Sequence, residues 1–235
     1  MSKVIKDKEV IISMFNSIAA KYDSACHILS FGVDKLWRKR CVKSIKNKSN
    51  IEILDIATGT GDLAIELLTL NPKRIVGIDI SEQMLEIAKE KFKKHINTDV
   101  SLLIADVENM PFPDNSFDVV TIGFGIRNFE NIEKAIKEIY RVLKPNGQYS
   151  IIEITLPNKS IRWLYSLYFK YILPAFAQLL TKNKKAYIYL NESVNEFPQW
   201  NDLNILFATN GFKNIKYKKL TFGTATLYVG YKNNL

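Results

Sequence analysis

The chain is poor in the residues that build metal centres and disulfide scaffolds, with 2 cysteines and 2 histidines in 235 residues. Cys26 and Cys41 stand too far apart for a Cys-x-x-Cys pair, and no second pair completes a zinc site. Both are expected to be free thiols of a reducing compartment, and no metal site is expected. Acidic residues are also in deficit, 24 Asp+Glu against 33 Lys+Arg for a formal charge of +9. That excess favours an anionic partner, whether phospholipid surface, nucleic acid or acidic substrate. A solvated, lysine-rich surface accounts for it equally well. Long apolar runs are missing too. The most apolar segment, 161–180, is broken by Arg162, Lys170 and Pro174, so it does not read as a membrane-crossing helix, which needs about 20 apolar residues. The start MSKVIKDKEV has neither the apolar stretch nor the cleavage site of a secretory leader, and the expectation is a cytoplasmic protein. Internal repeats and low-complexity tracts are absent.

What is present is a 47% hydrophobic chain, long enough for one sizeable α/β domain and short for two cores. Residues 7–20 and 34–47 show helical spacing, with Val10, Ile11, Met14, Phe15 and Ile18 forming an apolar stripe and 22–32 read as a linker. From residue 51 the pattern changes. Short apolar runs at 51–56, 74–78, 101–104, 117–122 and 149–154 alternate with helical segments at 62–70, 81–93 and 131–143, the last closed by Lys144-Pro145-Asn146-Gly147. Such alternation predicts a parallel sheet with crossover helices. An aromatic helix near 160–180, a polar one near 184–196 and another at 200–210 follow, and strands at 212–220 and 224–232 pair as a hairpin across 221–223. The expected organisation is a helical cap (1–48), a sheet core (50–155), a helical lid (156–200) and a terminal helix and hairpin (201–235).

The run Leu54-Asp55-Ile56-Ala57-Thr58-Gly59-Thr60-Gly61-Asp62-Leu63-Ala64 leads from a strand through a glycine turn into a helix, the architecture of a nucleotide site at the carboxyl end of a sheet. Gly59 and Gly61 permit tight backbone angles and close approach of a ligand; an ordinary βα turn needs the same residues. The run also satisfies G-x-G-x-x-A, with Asp79 ending the next strand, so a dehydrogenase is one reading. Asp62 opposes it, because a dinucleotide's diphosphate would sit at that helix N-terminus and meet a carboxylate. S-adenosylmethionine has no phosphate, and its sulfonium and ammonium groups suit Asp55 and Asp62. Asp79 can accept from both ribose hydroxyls, or it caps the helix that follows. Asp106 and Val107, after the third strand, offer a carboxylate to the adenine amine and an apolar contact to its ring. Thr60 in the glycine turn and Gly123 at the end of the fourth strand complete the expected cofactor set.

These residues resemble the class I S-adenosylmethionine-dependent methyltransferases, and within them the menaquinone/ubiquinone-biosynthesis C-methyltransferases. The resemblance runs through Met14-Phe15, Lys21-Tyr22-Asp23, Ser30-Phe31-Gly32, Leu36-Trp37-Arg38, the run from Leu54 to Leu63, Phe124-Gly125-Ile126-Arg127-Asn128-Phe129, Arg141 to Pro145, Tyr187 to Ser193, and Phe197-Pro198. The Phe-Gly-Ile-Arg-Asn-Phe segment is the most specific. Cys26 departs from the pattern, standing where the family has Asn. The resemblance implies a Rossmann-like, mostly parallel seven-stranded sheet flanked by helices. It also implies C-methylation of a polyprenylated quinol, either 2-demethylmenaquinol or a methoxy-polyprenyl-benzoquinol.

A ring carbon becomes nucleophilic when a neighbouring hydroxyl is deprotonated, so the site must stabilise a phenolate. Arg127 and Asn128 are expected to hold that oxygen. Tyr22, His27 and water are candidates to receive the proton, and Glu153 is a lesser polar candidate. Each has an ordinary alternative: Arg127 as a salt-bridge partner, Asn128 as a helix cap, Tyr22 as packing, His27 as a loop residue. The aromatic segment 161–180 reads as core or as a helix lying on a membrane, where it would admit an apolar substrate tail and hold the protein at the inner face of the bilayer. The dispersed lysines match no nucleic-acid-binding module, a generic small-molecule methyltransferase shares the cofactor site, and a homodimer is compatible with the chain.

Overall fold

The computed structural model describes residues 6–46, 50–95, 99–168, 171 and 184–234. The chain begins with α1 (Lys8–Leu29), where Asp7 caps the helix by accepting from the backbone N–H groups of Glu9 and Val10. This one helix replaces the expected helix 7–20 and linker 22–32. No glycine or proline interrupts the chain before Gly32, and Ala25 carries the apolar stripe onward into buried ground. Val10, in contrast, is exposed. The chain turns only at Phe31 and Gly32, both at positive φ, into α2 (Val33–Lys43). Helix α2 ends at Lys43, short of the expected 47: Ser44 closes it, residues 45 and 46 are not helical, and residue 47 lies outside the described residues.

The sheet core follows the predicted alternation: β1 (Glu52–Ile56), α3 (Asp62–Leu67), β2 (Arg74–Asp79), α4 (Glu82–Phe92), β3 (Val100–Ile104), β4 (Phe117–Gly123), α5 (Ile132–Val142) and β5 (Leu143–Ile154). After it come α6 (Arg162–Leu167), α7 (Lys184–Glu196), α8 (Asn201–Thr209), β6 (Phe212–Leu220) and β7 (Ala225–Lys232). Residues 169, 170 and 172–180 of the expected aromatic helix lie outside the described residues. The strands form one sheet in the order β3-β2-β1-β4-β5-β7-β6, parallel except for β7, which runs antiparallel to β5 and β6. The terminal hairpin is therefore as predicted.

One boundary differs. Helix α5 does stop at Val142, but residues 144–147 enter the strand rather than forming a separate turn, because Leu143 pairs with Phe117 and a register shift absorbs them. Asn146 takes φ 60° in that bulge. Both faces of the sheet are covered. On one, Leu54, Ile56, Val120 and Ile122 pack with α5 and α8; on the other, Ile53, Ile75, Val119 and Ile152 pack with α2 and α3. The edge strand β6 exposes Lys213, Lys216, Lys218 and Lys219, a common protection against edge-to-edge pairing. Part of the positive charge is thus a solvated face. Among the described residues no helix is long and apolar enough to cross a membrane.

Candidate active site

The carboxyl ends of β1, β2, β3 and β4 open into one cavity of about 460 Å³, roofed by α1. The glycine turn after β1 is tight: Ala57, Gly59 and Gly61 take φ of 52°, 56° and 84°. The two glycines serve different ends. A Cβ on Gly61 would lie 3.0 Å from Phe92 and 3.2 Å from Ala88, so its absence lets α3 pack on α4. A Cβ on Gly59 would meet no protein atom within 4 Å, and Gly59 faces the cavity. That is a cradle for a ligand. Gly123 also lines it, and a Cβ there would stand 3.1 Å from Leu63.

Asp55 is buried and accepts from the hydroxyls of Thr58 (2.7 Å) and Thr121 (2.6 Å). Burial pushes its carboxyl up to about 6, so a cationic ligand would favour its ionised form. Asp79 accepts from the backbone N–H of Gly59 (2.8 Å) and Ser81 (2.9 Å), tying the glycine turn to the end of β2. Burial raises its carboxyl as well. The helix cap is Ser81, whose Oγ accepts from the Met84 N–H. Asp106 accepts from the Glu108 N–H and pairs with Lys8 at 2.7 Å, beside the buried Val107. Thr60 donates to Asp23 of α1 at 2.5 Å, and Ser81 donates to Asn16 of α1 at 2.6 Å. Lys8, Asn16 and Asp23 thus fasten α1 across the cavity, which sequence reading did not anticipate. Asp62 needs correction. It is not free for a cationic ligand, since Lys91 holds it at 2.6 Å and Arg38 at 3.0 Å.

At the opposite end, β4 leads into Phe124, at φ 62°, and Gly125, where a Cβ would come within 2.4 Å of Ala57. The chain then makes a 3₁₀ turn over Ile126–Asn128. Arg127 is buried there. Its Nη1 donates to Phe124 O (2.6 Å) and to Glu153 Oε1 (2.5 Å), while its backbone N–H donates to Glu153 Oε2 (3.2 Å). Glu153 is wholly buried and also accepts from the Ile154 N–H. The Arg127 Nε is buried without a hydrogen-bond partner. Arg127 is therefore a salt-bridge partner, but a buried one within the cavity rather than a surface one. Asn128 does not cap the next helix, a role taken by Asn131; its Oδ1 accepts from the Tyr189 hydroxyl at 3.1 Å.

The two protein candidates for the proton sit in different surroundings. Tyr22 lines the cavity, where the neighbouring Cys26 and burial raise its phenol well above the ordinary value and favour its protonated form. His27 is bound through Nδ1 to Asp34 at 2.6 Å and does not line the cavity. Cys26 does line it, with its thiol pushed up to about 12 by burial. Burial also raises the phenols of Tyr165 and Tyr189, the latter to about 12, and the Arg127 charge acts on both. Arg38 and Tyr189 lie in segments that carried the family resemblance, but their roles depend on distant contacts that the sequence does not display.

A glycine turn after the first of seven strands, carboxylates at three successive strand ends and an antiparallel β7 define a class I S-adenosylmethionine-dependent methyltransferase. Solved structures share the architecture. One is a S-adenosylmethionine-dependent methyltransferase of Thermotoga maritima, described as a possible histamine N-methyltransferase (TM-score 0.66, 22% identity, 94% of this chain and 99% of that one). Another is the [4+2]-cyclase SpnF (TM-score 0.67, 14% identity, 95% of each chain). Residues 2–232 match the ubiE/COQ5 methyltransferase family, to which the chain belongs. Its relatives include a demethylmenaquinone methyltransferase of Bacteroides fragilis, 38% identical over 97% of this chain and 94% of the relative. A ubiquinone/menaquinone biosynthesis C-methyltransferase of Geotalea daltonii is 42% identical over 99% and 100%, and a demethylmenaquinone methyltransferase of Staphylococcus carnosus is 40% identical over 99% and 97%.

Proposed function

We propose that the protein methylates a ring carbon of a polyprenylated quinol, 2-demethylmenaquinol above all, in menaquinone biosynthesis. The names of the Bacteroides and Staphylococcus relatives favour the naphthoquinol; the Geotalea relative's name keeps a methoxy-polyprenyl-benzoquinol as the second reading. The observation that carries the proposal is that one cavity holds both the glycine turn and the Arg127-Asn128 turn and is lined as well by aromatic and aliphatic side chains such as Phe31, Tyr168 and Leu190.

Asp79 and Asp106 would hold the ribose and adenine of S-adenosylmethionine, with Gly59 passing beneath and Asp55 facing its cationic end. When bound, the cofactor supplies a methyl group activated by its sulfonium. The chain's part is to stabilise the quinol oxygen. The orphan Nε of Arg127 and the amide of Asn128 are suited to donate to it, and Tyr22 and Tyr189 stay protonated to donate beside them. With the tyrosines held as donors and His27 outside the cavity, the proton passes to water.

Substrate would enter from a membrane. Phe31, Leu36, Trp163 and Phe222 are exposed by 81%, 60%, 65% and 71%. Contacts tie their elements together: Phe31 lies against Tyr168, Trp37 donates to Thr221, and the Asn158 N–H donates to Phe222 O. Lys35, Lys39 and Lys159 stand exposed on the same elements, the composition of a surface that docks on anionic lipid. Docking would hold the protein at the inner face of the membrane with the cavity mouth toward the bilayer.

The deciding assay supplies labelled S-adenosylmethionine with matched naphthoquinol and benzoquinol and locates the methyl group by mass spectrometry. Transfer to a ring carbon of the naphthoquinol is expected. Transfer to neither ring overturns the proposal.

A further inference from the structure

The amino-acid end of S-adenosylmethionine carries a carboxylate as well as an ammonium group, and the residues so far assigned to the cofactor are acidic or neutral. A carboxylate taken out of water needs a cation or several donors. Three basic side chains line the cavity among the described residues: Lys8, Arg38 and Arg127. Lys8 is engaged by Asp106, at the adenine end. Arg127 is engaged by Glu153, at the acceptor end. Arg38 remains.

The strand order places it correctly. Asp106 follows β3, Asp79 follows β2 and the glycine turn follows β1, and these strands are neighbours in that sequence. The glycine turn at the end of that row opens into α3, against which α2 packs. Arg38 projects from α2 at that point, 8% exposed, on a helix anchored in the core by Trp37, Cys41 and Val42. Its Nη2 pairs with Asp34 at 2.5 Å and with Asp62 at 3.0 Å. Its Nη1 and Nε make no hydrogen bond among the described residues. Each carboxylate of the cluster has a partner besides Arg38: Lys91 bridges Asp23 and Asp62, and His27 and Ser30 bind Asp34. A guanidinium held along one edge and open along the other is a pre-oriented receptor for a carboxylate.

We propose that Arg38 binds the α-carboxylate of the cofactor's amino-acid end, with Asp34 as its positioning residue. The inference rests on the cofactor assignment and not on the identity of the methyl acceptor. Calorimetry with S-adenosylmethionine and its decarboxylated analogue, which differ in that carboxylate alone, tests it. The wild-type chain should bind the intact cofactor about ten- to hundredfold more tightly, the range for a charge-assisted hydrogen-bonded pair. Arg38→Met should abolish that preference by weakening the intact cofactor alone, and Arg38→Lys should restore part of it. Should Arg38→Met fail to fold, pairing it with Asp34→Asn removes both buried charges and leaves the same comparison. Equal weakening of both ligands, or a preference that survives, overturns the inference alone. A wild-type chain that binds neither ligand overturns the cofactor assignment with it.

Discussion

Removing Arg127 acts on stability and on chemistry at once, and the structure shows how to separate them. The guanidinium and the Glu153 carboxylate are 6% and 0% exposed and meet at 2.5 Å. Arg127→Met leaves the carboxylate buried with two backbone donors and no cation. Breaking one side of a buried pair costs about 3–5 kcal/mol, which for a domain of this size is a fall of roughly 6–20 °C in Tm. Replacing both partners is different: Arg127→Met with Glu153→Gln removes both charges, and most of the loss should return. The chemical effect should not return with it. Losing a donor aimed at a developing oxyanion costs about a hundredfold or more in kcat, and without the cation the quinol hydroxyl ionises at higher pH. The double variant should therefore fold nearly as stably as wild type and bind S-adenosylmethionine normally. Its turnover should be slower by about two orders of magnitude and partly rescued at high pH. Thermal melts, calorimetry and a pH series of single-turnover rates provide the readouts. A double variant that regains turnover along with stability would make Arg127 a purely structural residue, and a single variant as stable as wild type would refute the burial argument.

The two glycines of the cofactor turn should respond differently to alanine. Gly61→Ala should destabilise the chain by a few kcal/mol, because its Cβ would press on Phe92 and Ala88 in addition to the positive-φ strain. Gly59→Ala should cost about 1 kcal/mol of stability and act mainly on cofactor affinity; melts and calorimetry distinguish the two. The Asp55 carboxyl is raised from 3.8 to about 6 by burial, so the folded chain holds that proton more tightly than the unfolded one. Its contribution to stability is lost as pH rises between those values. Affinity for the cationic cofactor should conversely fall as pH drops below about 6, and Asp55→Asn should flatten that profile in calorimetry. Phe31→Ser and Phe222→Ser should each lower sedimentation with anionic vesicles about tenfold, the scale of withdrawing one aromatic side chain from an apolar phase. Unchanged sedimentation would remove this face from the membrane.

The parts of the fold set by local pattern were legible in the chain. Alternating apolar runs and helices from residue 51 onward specified a parallel sheet, because period-2 and period-3.6 burial cannot be exchanged. Asp55, Gly59, Gly61, Asp79 and Asp106 could be assigned to one ligand because the carboxyl ends of adjacent parallel strands lie together. Legibility failed where the decision was made at a distance. The segment 22–32 reads as a linker, but as far as Leu29 it continues α1, because that helix roofs the cavity and is fastened at Asp106, Ser81 and Thr60.

The glycine turn, the alternation of strands and helices and the carboxylates that end β2 and follow β3 were thus determined by the sequence itself, since each follows from residues within one turn or one strand of an element boundary. Tertiary structure alone decided which charges are spent and which are available. Asp62 and Arg38 come from different helices, as do Lys91 and Asp23, and Glu153 reaches Arg127 across 26 positions. An ion pair is a matter of distance and burial, neither of which is written in the order of residues. Only folding commits Asp62 and Lys91 to each other, leaves one edge of Arg38 open, and turns Arg127 from an exposed-looking cation into half of a buried pair.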